Sequence, residues 1–404
     1  MTWTFGTIRT CPPAETIANL RRIAAKVGIT RVANVTWLDD VGLPTWMVVR
    51  PLARSLSVSQ GKGLTDELAL CSGLMESIEL YHAESYRGDT IIVPLGVASS
   101  DANFANIAEL AILPSAEPRE ETPVEWAPAT DLLSGREAYV PWELFDLDFA
   151  KPVQRPRLFV SSSNGLASGN TRSEAILHGL CEVIERDQVA LWLLRRLYEA
   201  RRRPTLIDPS SIDDPILCEI IAKCSHAGLS VYVWYCTEDL ELPTFKCAVV
   251  ARQGSSLFLQ QAGGSGTHPH KSIALARAVT EALQSRLTHI AGSRDDLYWN
   301  RYCTTIPSAS LAAPASPACY DREDTVSFED IPDGFDDISV EALVVKVLQV
   351  LTKRGLKQAF YVDLSDANLR IPVVFVTVPR LEGNIVHSHY IPNARALAFL
   401  ESII

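Results

Sequence analysis

Ala175-Ile-Leu-His-Gly-Leu-Cys-Glu182-Val-Ile-Glu185 decides the reading of this chain, because its frame occurs twice more. The other copies are Ala69-Leu-Cys-Ser-Gly-Leu-Met-Glu76-Ser-Ile-Glu79 and Ala274-Leu-Ala-Arg-Ala-Val-Thr-Glu281-Ala-Leu-Gln284. Each has Ala, seven steps, Glu, three steps, Glu or Gln. A glycine-rich approach precedes each one: Gly61-Lys62-Gly63, Asn164 to Asn170, and Gly263-Gly264-Ser265-Gly266. The three leading glutamates lie roughly 100 residues apart, a longer period than that of solenoid repeats. The spacing therefore predicts three related structural units.

Ala, Leu, Met, Ile and Val between the acids, with no proline, predict a helix in each copy. At about 100° per residue, Glu174, His178, Glu182 and Glu185 fall within an arc of roughly 80°, apart from Ile176, Leu177, Leu180 and Val183. The same arithmetic gathers Arg277, Glu281 and Gln284 within about 60° and sets Glu76 and Glu79 about 60° apart. Strand-like runs follow from β-branched and aromatic residues at Trp46–Arg50, Leu158–Ser163, Leu229–Cys236, Ala248–Arg252 and Ile371–Pro379. Further helices are expected at Ala14–Val27, Val340–Arg354 and Asn393–Glu401. Pro114–Thr130 and Thr304–Asp337 read as long surface loops. Mixed helices and strands over this length place the chain in the α+β, mixed α/β class.

Composition narrows the function. With 37 Lys and Arg against 48 Asp and Glu among 404 residues, the net charge is −11, and the pI is near 5.3. The molecule as a whole repels phosphate backbones and anionic lipid, so neither a nucleic-acid nor a membrane partner is expected. Met1–Pro13 lacks a signal-peptide core, and no run approaches the ~18 apolar residues of a membrane span. A cytoplasmic protein is expected. Nine cysteines without a C-x-x-C pair read as reduced, packed thiols.

Five glutamates on apolar-backed helices are costly to bury unpaired, so something cationic should neutralise them. Mg²⁺ suits the hard oxygen donors and commonly bridges carboxylates to nucleotide phosphates. The glycine-rich turns would add backbone N–H groups at helix N-termini for phosphate, and Arg186 and Arg277 would add planar forks. These features predict an ATP site that is not a P-loop, since G-x-x-x-x-G-K-[ST] is missing. His178 reads as a hydrogen-bonded core histidine, and His268 and His270 as loop residues. Arg195, Arg196 and Arg201–Arg203 read as a solvated helix end.

Ser59–Thr65 leading to Glu76–Glu84, Ser163–Asp187, and Gly263–Leu287 together resemble the YcaO family, and Gly28–Pro51 looks most like the branch encoded beside TfuA proteins. The resemblance implies a YcaO-like fold of three related helix/strand units around one ATP site, with residues 1–404 forming a single catalytic domain. It further implies an ATP- and Mg²⁺-dependent enzyme that activates a peptide backbone amide: a nucleophile adds to the carbon, the oxyanion takes the γ-phosphoryl group, and phosphate leaves. Sulfide as nucleophile gives a thioamide, and a Cys, Ser or Thr side chain gives an azoline.

Carried over by motif, Glu76, Glu79, Glu182, Glu185 and Glu281 are the expected metal ligands. Arg9, Asn170, Glu174, Arg186, Arg277 and Gln284 are the expected nucleotide and phosphate contacts. Many azoline-forming members end in a Pro-rich tail, whereas this chain ends Leu400-Glu-Ser-Ile-Ile404, which favours thioamide formation on a peptide or protein substrate with a TfuA-like partner. The region of resemblance starts almost at the N-terminus, so recognition of the substrate is expected to need a partner protein. A homodimer is expected from the resemblance alone. An inert ATP- or peptide-binding scaffold is the reading from another class, opposed by the intact glutamates.

Overall fold

The computed structural model describes residues 6–152, 157–199, 205–252, 261–297, 324–335, 337, 339–383 and 390–404. In chain order its helices are α1 (Pro13–Ile23), α2 (Asp66–Glu84), α3 (Leu95–Ser99), α4 (Arg172–Tyr198), α5 (Pro215–His226), α6 (Lys271–Ala291), α7 (Val340–Lys353) and α8 (Ala394–Ile403). The strands are β1 (Arg31–Asn34), β2 (Thr45–Val49), β3 (Val58–Lys62), β4 (Ile91–Pro94), β5 (Pro123–Asp131), β6 (Glu137–Pro141), β7 (Leu166–Ser168), β8 (Leu206–Ile207), β9 (Leu229–Tyr235), β10 (Thr244–Ala251), β11 (Gln261–Thr267), β12 (Thr325–Val326), β13 (Phe360–Asp363) and β14 (Val373–Thr377). They form three sheets, ordered β1-β2-β3, β4-β5-β13-β14-β7 with β6 beside β5, and β11-β10-β9-β8-β12. No helix among the described residues is long and apolar enough to cross a membrane.

Each repeated helix follows the strand at the end of its sheet and packs on it: α2 on β3, α4 on β7, α6 on β11. Thr65 and Thr171 start the first two helices in the same way, as extended N-caps whose side chains accept from Leu68 N and Glu174 N, each at 3.2 Å. Ala69, Ala175 and Ala274, the first residue of each repeat, have no exposed surface because they face those strands.

The glycine-rich approaches are built largely as strand rather than as turns. Gly61 lies in β3, and Gly263, Gly264 and Gly266 lie in β11. Their missing side chains let helix and strand backbones touch: a Cβ on Gly61 would strike Ala69 and Gly73, and one on Gly264 would strike Ala278 and Ala282. Just past β3 and β7, a Cβ on Gly63 or Gly169 would lie 2.6 Å from the nitrogen of Ala69 or Ala175.

Three other expectations change. Pro114–Thr130 contains the start of β5, whose Val124 and Trp126 are buried. Pro128 lies opposite Tyr139 of β6, but Tyr139 donates its N–H to the carbonyl of Asn103 and accepts from Ala105 N, and on the other edge Pro128 falls between the stretches paired with β4 and β13, so no ladder bond is lost. Leu158–Ser163 forms only an isolated bridge, Phe159 to Ile112. Within Thr304–Asp337, residues 304–323 lie outside the described residues, but Thr325–Val326 pairs parallel with Leu206–Ile207, and Phe328 and Ile331 are buried. That end is a sheet edge rather than a surface loop.

The core divides along the units. The first group gathers α1, α2 and the β4–β6 side; the second lies between α4, α7 and β14; the third lies between α5, α6 and the β8–β12 sheet. The seven described cysteines are free, four of them buried.

Candidate functional site

The second residue of each Glu-x-x-Glu/Gln pair reaches across to the strand of the next unit. Glu79 Oε1 on α2 accepts from Ser168 N at 2.8 Å and Ser168 Oγ at 2.6 Å in β7. Glu185 on α4 accepts from Ser265 Oγ at 2.7 Å and Thr267 N at 3.1 Å in β11. Gln284 on α6 donates Nε2 to the carbonyl of Gln60 in β3, which explains the chemistry of the third copy. The first two partners are donors and call for a carboxylate; the third is an acceptor and calls for an amide. Three joints thus close a ring, α2 to β7, α4 to β11 and α6 to β3.

At the centre of this ring is a cavity of about 450 Å³. All eleven residues expected from sequence line it: Glu76, Glu79, Glu182, Glu185, Glu281, Arg9, Asn170, Glu174, Arg186, Arg277 and Gln284. Lys62, Arg294 and His178 line it too. Lys62 stood within a quoted glycine string, and its partner, Glu281 Oε2 at 3.4 Å, comes from another unit and had no local signal. Arg294 follows the end of α6 and pairs with Asp296 at 2.6 Å. His178 is hydrogen-bonded as expected, its Nε2 3.4 Å from the Arg277 guanidinium, but it is half-buried at the cavity wall rather than in the core. His268 and His270 do lie between β11 and α6. Arg195 is not solvated but bonded to Glu238 at 2.8 Å, while residues 201–203 lie outside the described residues.

Electrostatics sort the carboxylates. Burial, augmented by Glu76 and Glu182, pushes Glu79 up to about 8 despite its bonds to Ser168. Burial likewise pushes Glu182 up to about 7, only partly offset by Arg186, whose nearest nitrogen is 3.7 Å away. Glu76 is also raised by burial. Glu281 is lowered, because Lys62, Arg186 and Arg277 together outweigh its burial. His178 is held far below the usual histidine value by burial and then by Arg277, so its ring is neutral. Glu174 is fully engaged: Arg9 reaches Oε1 at 3.0 Å, and the nitrogen and hydroxyl of Thr10 reach Oε2 at 3.1 and 2.8 Å. Its role is to fasten the segment carrying Arg9 over the cavity, beside Asn170, which also donates to it at 3.2 Å.

The donor set suits a nucleotide with a hard cation. Glu79 commits only one oxygen to Ser168, and carboxylates whose anionic forms are penalised by burial and by one another gain most from a divalent ion. Arg277 Nε is buried with no partner among the described residues, an orphan that a phosphate oxygen would satisfy. In this structure no three acidic, histidine or cysteine side chains among the described residues converge as a metal cluster; each carboxylate is held by its own partner.

The family model of the YcaO cyclodehydratases, described as ATP- and Mg²⁺-binding, matches residues 60–382. The chain belongs to the YcaO family. Among YcaO relatives, a protein encoded in the tfuA 3′ region of Rhizobium leguminosarum bv. trifolii is 36% identical over 386 residues, covering 93% of this chain and 89% of that protein. The solved structure of YcaO from Methanopyrus kandleri bound with AMPPCP and Mg²⁺ superposes with a TM-score of 0.70 at 22% identity, covering 97% of both chains. A heterocyclase in complex with substrate and cofactor gives 0.76 at 22% identity over 95% of this chain and 54% of that one. The mixed α/β architecture is thus that of YcaO proteins, a family that binds ATP and Mg²⁺.

Proposed function

We propose that this YcaO protein uses Mg²⁺ and ATP to activate a peptide backbone amide, sulfide adding to its carbon and the resulting oxyanion being phosphorylated, to give a thioamide. The C–S bond forms first, the γ-phosphoryl group then passes to that oxygen with release of ADP, and the C–O bond breaks as phosphate leaves carrying the oxygen. The observation that carries the reading is the convergence of carboxylates and arginines from three helices on one cavity. Phosphoryl transfer asks a protein for positioning and charge neutralisation above all.

In this proposal Glu76, Glu182 and Glu281 are the principal Mg²⁺ ligands, with Glu79 and Glu185 contributing from the ring joints. Arg186, Arg277 and Arg9 contact phosphate oxygens, Asn170 and Gln284 orient the nucleotide, and Glu174 acts on it through the Arg9 segment that it holds. Lys62 shares Glu281 and stands beside the phosphate path. Bound Mg²⁺ would supply charge neutralisation at the β- and γ-phosphates. The relative from a tfuA 3′ region supports a TfuA-like partner; that partner is proposed to deliver the sulfide, and the whole chain is proposed to act as one catalytic unit in the cytoplasm.

Azoline formation on Cys, Ser or Thr is the second reading, favoured by the cyclodehydratase family model. One experiment separates them. The protein, Mg-ATP, sulfide, a TfuA-like partner and a peptide library are combined and the products weighed. Exchange of one oxygen for sulfur supports thioamidation, loss of one water establishes cyclodehydration in its place, and peptides left unchanged by a protein that binds Mg-ATP would sink both.

A further inference from the structure

A second cavity, of about 880 Å³, opens beside the C-terminal end of α2. Its wall holds a buried ion pair: Arg50 gives both terminal nitrogens to Glu84, at 2.9 and 2.8 Å, and the residues are 3% and 2% exposed. Arg50 Nε is left buried without an acceptor. His82, 3% exposed on the same wall, has Nδ1 2.7 Å from the carbonyl of Ile78. A carbonyl only accepts, so Nδ1 carries the proton and Nε2 presents a lone pair. That Nε2 is also buried without a partner, and burial lowers the pKa of the ring, which keeps it neutral. One wall therefore offers one unsatisfied donor and one unsatisfied acceptor, each costly to leave unmade.

A residue of an extended segment carries the complementary pair on one edge, N–H for His82 and C=O for Arg50. The surroundings describe the rest of the ligand. Tyr81 and Tyr86 line the cavity and Leu52 is 93% exposed beside it, apolar surface for apolar side chains. Lys26 and Arg87 line it without a carboxylate partner among the described residues, facing a single unpaired acid, Asp366. His82 follows Glu79 by three residues on α2, about 4.5 Å along the axis. The two cavities thus border neighbouring turns of α2.

We propose that this second cavity docks an extended segment of the peptide substrate with acidic and apolar side chains, the N–H and C=O of one of its residues bonding to His82 Nε2 and Arg50 Nε. The inference rests on the reading that the substrate is a peptide. The probe is a fluorescent, end-capped decapeptide of alternating Asp and Leu, titrated against the full chain by anisotropy, beside the same peptide with every second amide N-methylated. The variants are Ala53→Trp, which fills the cavity from a half-buried lining position, and the exposed double change Lys26→Glu with Arg87→Glu. We expect saturable binding to the wild type, a loss of about tenfold or more with either variant and with the methylated peptide, and unchanged Mg-ATP binding in both variants. Binding as tight in Ala53→Trp as in the wild type, or no saturable binding to the wild type up to the solubility limit, overturns the docking site. Because Mg-ATP binding is read separately, that result would leave the amide-activating reading standing, whereas lost Mg-ATP binding in the wild type would strike that reading instead.

Discussion

Replacing Glu182 by Gln should make the ligand-free protein more stable and destroy its Mg²⁺-dependent affinity for ATP. An ordinary Glu titrates near 4.5, whereas Glu182 titrates at about 7. At about 1.4 kcal/mol per pH unit between the two values, the ionised carboxylate costs the fold roughly 3 kcal/mol. The side chain keeps 20% of its surface exposed, so about 2 kcal/mol is the fairer figure after screening. The sign follows from the raised value. Below pH 4.5 the group is protonated in folded and unfolded chains alike and nothing is gained; the cost grows from there to about pH 7 and is full above it. Gln keeps the shape and removes the charge, so the gain should appear at pH 8 and vanish at pH 4.5. Thermal melts at both pH values, with and without Mg-ATP, measure this. Wild type should be stabilised by Mg-ATP and the variant should not, while the bare variant melts higher than bare wild type at pH 8. A variant that melts lower at pH 8, or that is stabilised by Mg-ATP as much as the wild type, would refute the assignment of Glu182 as a strained carboxylate awaiting a cation.

Glu79, pushed up to about 8, is largely protonated at pH 7 and must lose its proton to meet a metal; Mg-ATP binding should release protons and tighten as pH rises through 8, read by calorimetry in buffers of different ionisation enthalpy. Arg395→Met removes bonds of 2.9, 2.9 and 2.7 Å to Asp187 and Asp239 and leaves Asp187, with no exposed surface, unpaired, at a cost of about 3–5 kcal/mol. Because α8 buries only Ala396, hydrogen exchange should accelerate over residues 394–403 while the strands of the core stay protected. Gly264→Ala drives a methyl into the backbone of α6 and should cost about 3 kcal/mol or more. Gly263→Ala, whose Cβ would meet nothing nearer than the Cys247 carbonyl at 3.6 Å, should melt almost as the wild type does.

Arg9 and Asn170, which lie outside α2, α4 and α6, are held at the cavity through Glu174, while the other nine sequence-derived residues come there because helical periodicity puts positions three and four apart on one face. Once α2, α4 and α6 turn those faces toward a common centre, nothing further is needed to gather them. What the local pattern does not carry is the partner across each joint. Nothing near Glu281 announces Lys62, and nothing near Gln284 explains an amide where the other copies have an acid, until the Gln60 carbonyl is brought against it. The glycine strings illustrate a different difficulty: a turn that admits phosphate and a strand that admits a helix backbone both require an absent side chain, and the residues are the same. The prolines of Pro114–Thr130 do not prevent a strand, because proline is excluded only where the ladder needs its N–H, and which positions those are is a property of the whole sheet.

The ring of joints has a mechanical corollary. Three links in a closed cycle are not independent: if the joint between Glu79 and Ser168 parts, the other two must absorb the displacement, because the chain of contacts returns to its origin. A ligand that touches all three helices at the axis therefore acts on every joint at once, as a keystone does in an arch. Loosening any single link, however far from a reacting amide, should be felt as slackness of the whole vault.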